Sequence, residues 1–197
     1  ESSRLQSLAL HIQGGIPVRG FTLIELIVTT AIMAIVLSVG VPSFKSIIDN
    51  YEARISLSTL RRTLQKTRTI ALQTAQSALV CPMENKRCVS DWSLPLSIFN
   101  DLNNNFTLDD GEQLHIQVSN GVNHGYWQKK KANQSYIKFS PLGHAYGSAT
   151  TFLYCSNSKN EKVAKQLVIN FQGRIRTDSY LNGNGTPFPN VDPLNCE

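Results

Sequence analysis

Charge is scarce in this chain and nearly missing from one long stretch. Of 197 residues, 17% are Asp, Glu, Lys or Arg, below the roughly 25% usual for soluble domains. Between Phe21 and Val41 the only ionisable side chain is Glu25. The four histidines (His11, His115, His124, His144) are scattered, and neither a Cys-x-x-Cys nor a Cys/His pair at ligand spacing occurs, which argues against zinc. No metal or cofactor is expected. No phosphate loop, nucleophile motif or metal triad organises the Ser, His and Asp that are present, so the chain reads as non-enzymatic. No helix-turn-helix or other base-reading element is visible, so any nucleic acid would be bound without sequence preference. Nothing repeats internally.

What is present begins with Gly20-Phe21-Thr22-Leu23-Ile24-Glu25-Leu26, the opening of the uncharged stretch. As a helix, residues 21–41 would extend roughly 31 Å, the thickness of a bilayer core. An ordinary secretory signal places its apolar segment ahead of the cleavage site, whereas here the candidate cut, between Gly20 and Phe21, precedes it. The apolar helix is then retained. A carboxylate in hydrocarbon needs a partner, and cleavage after Gly20 would create an ammonium on Phe21, one helical turn from Glu25. The segment from Arg19 to Val41 resembles the class III signal of type IV pilins and pseudopilins. That resemblance implies a dedicated prepilin peptidase cutting after Gly20, methylation of Phe21, and an assembly role for Glu25. The leader of residues 1–20 is longer than usual for that family.

Charge is unevenly placed beyond the anchor. Residues 42–80 carry six basic and two acidic groups, and residues 91–112 carry five acids and no base. Residues 113–177 hold nine bases (Lys129, Lys130, Lys131, Lys138, Lys159, Lys162, Lys165, Arg174, Arg176) against Glu161 alone. A basic stretch of this kind suits a polyanion. The cysteines Cys81, Cys88, Cys155 and Cys196 fit an oxidising periplasm, and three pairings remain open. Cys81 with Cys88, closing a short loop, and Cys155 with Cys196, pinning the tail to a strand, are preferred.

Apolar steps of three and four (Phe44, Ile47, Ile48, Tyr51, Ile55, Leu57, Leu60, Leu64, Ala71, Ala75, Ala78) predict an amphipathic helix over 42–80, bent at Pro42. Arg54, Arg61, Arg62, Lys66 and Arg68 read as a solvated face. Over 81–197, short runs between turn residues predict an antiparallel sheet: Leu94–Phe99, Gln113–Val118, Tyr136–Phe139, Thr151–Tyr154, Leu167–Phe171 and Arg174–Thr177. The helix would cover one face of that sheet. The last twenty residues read as an irregular tail.

Three segments of the head resemble the FimT/GspH family of minor pilins and pseudopilins. They are Ile137-Lys138-Phe139-Ser140-Pro141-Leu142-Gly143, Gly147 with Thr150-Thr151-Phe152-Leu153-Tyr154-Cys155, and Leu167-Val168-Ile169-Asn170-Phe171-Gln172-Gly173-Arg174-Ile175-Arg176. The family implies an α+β type IV pilin fold, a long N-terminal helix packed on a β-sheet head. Its FimT-like members use Gly-Arg-x-Arg to bind DNA in natural transformation. On a strand, Arg174 and Arg176 would share a face about 7 Å apart, near the spacing of successive phosphates, with Gly173 allowing a turn that presents them. Without the resemblance the preferred reading is that they pair with Asp178 or the 101–112 segment, or keep an edge strand soluble. Lys129, Lys130 and Lys131, after Tyr126-Trp127 in an apparent loop, would enlarge the patch if they lie beside the arginines.

The segment Asp101–Glu112 places oxygen ligands at calcium-loop positions, but Phe106 stands where such loops need Gly; a plain turn connection is the preferred reading. The leading reading is a minor type IV pilin binding double-stranded DNA for uptake. Its partners are other pilins or pseudopilins, the prepilin peptidase and, before assembly, the inner membrane, crossed once with the head in the periplasm. The alternative is a GspH-like pseudopilin of type II secretion or a structural minor pilin without DNA binding.

Overall fold

Thr22 starts the first element. Its hydroxyl accepts the Glu25 N–H at 3.3 Å, and its carbonyl accepts that of Leu26 at 3.2 Å, the arrangement of a helix N-cap. Thr22-Leu23-Ile24-Glu25 also has the spacing of a capping box, and Glu25 lies in the first turn, where the helix dipole favours an acid. The structure, a computed structural model, describes residues 20–130, 134–159, 161–179 and 196, with the backbone alone at 39, 41–43, 161, 178 and 179. The expected leader (all but Gly20) and nearly all of the tail therefore lie outside the described residues.

Helix α1 spans Leu23–Thr74 and is unbroken at Pro42. The chain divides into two compact units, Glu1–Ser43 and Phe44–Glu197. In the first, Leu23, Ile24, Leu26, Ile27, Ile32, Met33, Ile35, Val36 and Leu37 are all exposed. Among the described residues no helix is long and apolar enough to cross a membrane. The expected span over 21–41 therefore rests on the sequence pattern.

In the second unit α1 ends at Thr74, where Ala75 takes a left-handed φ of 52°. The expected helix to residue 80 is thus too long. Ala75 and Ala78 continue the helical period, but Ala78 already belongs to β1 (Ala78–Glu84), buried between two neighbouring strands. The remaining strands are β2 (Arg87–Cys88), β3 (Leu96–Phe99), β4 (Leu114–Val118), β5 (Gly125–Lys129), β6 (Ile137–Phe139), β7 (Thr150–Ser156), β8 (Lys165–Ile169) and β9 (Ile175–Ser179). They form two antiparallel sheets, one ordered β2-β1-β3-β4 with β6 also on β1, the other β5-β7-β8-β9. Disulfides join Cys81 to Cys88 and Cys155 to Cys196.

The core lies between α1 and both sheets. Leu60, Leu64, Ile70 and Ala71 of the helix meet Val80, Ile98, Phe139, Phe152, Tyr154, Leu167 and Ile169. Burying Leu60 and Leu64 alone contributes about 3–6 kcal/mol.

One turn region of the helix inverts the expected pattern. Phe44, Ile47, Ile48, Tyr51 and Ile55, expected to face the head, are exposed, while Asp49, Glu52 and Ser56 are buried. The reason is a polar seam. The Glu52 carboxylate accepts the Tyr154 hydroxyl at 2.8 Å, the Asn123 N–H at 2.9 Å and the His124 N–H at 2.7 Å, and meets His124 Nδ1 at 2.8 Å. Asp49 accepts Ser158 Oγ at 2.7 Å, and Ser56 donates to the Gly121 carbonyl at 3.0 Å. Burial alone would push the Glu52 carboxyl up. The His124 N–H, Tyr154, the His124 ring and Asn123 together hold it below its ordinary value. Burial, then the bond to Glu52, raises the Tyr154 phenol well above its usual range.

Candidate nucleic-acid interface

The β8–β9 hairpin is built for a close approach. Asn170 opens a turn in which the Gly173 N–H bonds to the Asn170 carbonyl at 2.9 Å, and Asn170 and Arg174 close it at 3.1 Å. The Asn170 side chain accepts the Arg174 N–H at 2.8 Å. Gly173 has φ 72°, the left-handed position of a three-residue hairpin loop. A Cβ there would fall inside 3.0 Å of the Gly143 carbonyl oxygen, so the residue is fixed by packing as well as by φ.

Arg68 on α1 ties this corner together. Its Nε donates to the Gly143 carbonyl at 3.0 Å, and an Nη donates to that of Gln172 at 3.4 Å. One guanidinium thus holds the β6–β7 connection and the β8–β9 hairpin to the helix. The expectation that Arg68 belongs to a solvated face needs correction: it stands four residues after Leu64 and three before Ala71, on the apolar stripe, and is half-buried. That spacing was the available signal. Nothing in the sequence connects it with carbonyls at 143 and 172.

Arg176 lies in β9, opposite Val168, and β9 is the outer strand of its sheet. Arg174 precedes the strand, in the turn, so the two do not both project from β9 as expected. Both are exposed, and neither side chain has a hydrogen-bond or ion-pair partner among the described residues. The Asp178 side chain lies outside the description. The other proposed acidic partner, the 101–112 segment, is occupied elsewhere. Asp101 accepts the N–H groups of Asn105 and Phe106 at 3.2 Å, and Glu112 accepts those of Leu102 at 2.8 Å and Asp109 at 3.1 Å. Asp110 pairs with Lys86 at 3.2 Å. Hydrogen bonds from the Asn103 and Asn105 amides lower the Asp109 carboxyl below its ordinary value. The segment is a self-bonded turn, and no group of three or more metal-ligating side chains occurs among the described residues.

The lysines do not join the arginines. Lys129 ends strand β5 instead of lying in a loop, is buried, donates to the carbonyls of Gln134 and, at 3.3 Å, Tyr136, and stands 5.5 Å from the centre of the Trp92 ring. It is an internal cap. Trp127 is likewise buried, packed edge-on to Phe152 and Tyr154, and cannot stack on a base. Lys130 is exposed but follows β5, at the opposite edge of the sheet from β9, some three strand spacings or about 14 Å away. Lys131 lies outside the described residues.

At the other end of the chain, Gly20, Phe21 and Glu25 are all exposed, and Glu25 has no side-chain partner among the described residues.

Comparison with known proteins follows the same division. A family model described as type II transport protein GspH matches residues 57–173, and one described as the prokaryotic N-terminal methylation motif matches residues 17–41. The first stops just short of Arg174. No curated protein sequence matches the chain. Two crystal forms of the type IV minor pilin FimU of Pseudomonas aeruginosa are similar in structure. One has a TM-score of 0.54 at 20% identity, covering 75% of this chain and 96% of FimU; the other has a TM-score of 0.50 at 20% identity, covering 72% and 98%. With the family model spanning more than half of its residues, a methylation motif ahead of it and a minor-pilin fold around it, the chain belongs to the GspH family of pilin-like proteins.

Proposed function

We infer that this protein is a minor type IV pilin that binds double-stranded DNA without sequence preference, for uptake in natural transformation. The observation that carries the reading is the pair Arg174 and Arg176: two exposed guanidiniums without described partners, at the rim of an edge hairpin. Guanidinium forks match phosphate geometry, and phosphate contacts give affinity without reading sequence. Gly173 serves by shaping the turn. Lys129 has no part in this reading, and Lys130 and Lys131 are not needed for it. The processing motif supports cleavage after Gly20, methylation of Phe21 and pairing of the new amine with Glu25 during assembly. The subunit would be held once through the inner membrane with its head in the periplasm, then join other pilins, with no catalytic step of its own.

Full-length protein in neutral detergent should retard duplex DNA of any sequence. Arg174→Gln with Arg176→Gln should lower the slope of log affinity against log salt by about 1.8, from roughly 0.9 per lost phosphate contact. Unchanged binding by a folded double variant removes the site. Glu25→Ala should still be cleaved after Gly20 yet enter filaments poorly; normal incorporation removes the charge-pairing role.

A second reading has its own observation. The matching family model carries the description of a type II transport protein, which fits a pseudopilin of type II secretion, or a structural minor pilin, with no DNA partner. A wild-type chain that does not shift DNA at low salt selects it.

A further inference from the structure

Between α1 and the β8–β9 hairpin runs an open groove of about 430 Å³, lined by Gln65, Arg68, Thr69, Leu72, Gly173, Arg174 and Ile175. Its polar lining is one amide, one hydroxyl and two guanidiniums, and no carboxylate among the described residues borders it. Gln65 and Thr69 are exposed and Arg68 is half-buried. Arg68 is already held by the carbonyls of Gly143 and Gln172, which leaves guanidinium N–H groups unused. Because those bonds fix its rotamer, little further side-chain entropy is lost when an anion binds.

We propose that this groove is a phosphate-binding cleft and that Arg68 is a direct DNA contact, a helix-borne cation that continues the track begun by Arg176 and Arg174. The proposal rests on the DNA-binding reading above and adds a second wall to it. A DNA strand crossing the hairpin rim places one phosphodiester between Arg174 and Arg68, with the Gln65 amide able to donate to its oxygens; the Thr69 hydroxyl already donates to the Gln65 carbonyl at 3.0 Å. Arg61 lies seven residues before Arg68, nearly on the same helix face and about 10 Å along the axis, and extends the track toward the next phosphate. Arg62, about 120° around the helix from Arg68, lies off it. Among the described residues no acid lies along this line, and Asp49 and Glu52 further down the helix are buried, which leaves the track positive.

The test is salt-dependent DNA binding by the full chain in neutral detergent, with four variants beside the wild type. Gln65→Glu puts a carboxylate in the cleft at an exposed helix position without touching the bonds to Gly143 or Gln172. It should weaken duplex binding about fivefold, the effect of one like charge at close range in water, with an unchanged melting temperature. Arg68→Gln should lower the salt slope by about 0.9, a readout that loosened packing alone would not move. Arg62→Gln should change neither. Unaltered binding by Gln65→Glu, together with an unaltered slope for Arg68→Gln, overturns the cleft. The Arg174→Gln, Arg176→Gln variant separates the two ideas: if it alone loses affinity, the hairpin binds DNA and the cleft does not. If the wild type fails to bind, both readings fall. Vesicles containing phosphatidylglycerol form a further arm, and Gln65→Glu weakening vesicle binding while sparing duplex binding would assign the cleft to a lipid headgroup and refute the proposal.

Discussion

Gly173→Ala tests whether the corner of the head is as tightly drawn as its geometry implies. Alanine at φ 72° costs about 1–2 kcal/mol for the left-handed conformation alone. The added Cβ must also move away from the Gly143 carbonyl oxygen, which it approaches inside 3.0 Å. That carbonyl is backbone in a turn and accepts the Arg68 Nε at 3.0 Å, so displacing it weakens a charge-assisted hydrogen bond of about 1.5–3 kcal/mol. The sum is about 2.5–5 kcal/mol. For a chain of this size that is a fall in melting temperature of about 5–20 °C. Gly143→Ala is the comparator. Its φ is 74°, but the nearest atom to the new Cβ is Arg68 Nε at 3.0 Å, a contact that a displacement of a few tenths of an ångström relieves without a change of rotamer, so about 1–2 kcal/mol is expected. Urea denaturation at constant m value measures both. If Gly173→Ala is destabilised by less than Gly143→Ala, the close approach is not what fixes the hairpin.

Glu52→Gln should lower stability at pH 7 by about 2–4 kcal/mol, since the acceptor of several buried donors loses its charge. Because the folded Glu52 carboxyl lies below its ordinary value of 4.5, its contribution is fully present above that value and disappears as pH falls through the folded one. Thermal melts from pH 7 to pH 3 should therefore be flatter for Glu52→Gln than for the wild type, and parallel curves would contradict the seam. Lys129→Ala should destabilise the head by about 1–3 kcal/mol by leaving the Gln134 and Tyr136 carbonyls without their donor. Its DNA affinity, measured by gel shift below the melting temperature, should equal that of the wild type; a loss of binding would return Lys129 to the interface.

The anchor motif, the α+β class and strands β3, β4 and β6 to β9 were legible because each depends on neighbouring residues: spacing, turn chemistry and alternation; β5 was read as a loop. Errors arose where partners come from far along the chain. Ala78 to Val80 keep enough helical period to read as α1, and only pairing with β3 and β6 makes them a strand. Three successive lysines read as an exposed loop that would enlarge the arginine patch, yet Lys129 is drawn inward by carbonyls and the Trp92 ring. Arg68 acts through carbonyls 75 and 104 residues away, a distance at which no local pattern speaks. The stripe from Phe44 to Ile55 was correctly seen as one face of a helix. Its direction was misjudged, because amphipathicity says that a face wants cover and not which protein supplies it.

That stripe follows from the Glu52 seam. A latch made of one carboxylate, a phenol and two backbone amides closes within a single chain and leaves the greasy side of the stem for other molecules. Folding of the subunit and its appetite for neighbours are therefore written on opposite sides of the same few turns, so that either can be tuned without disturbing the other.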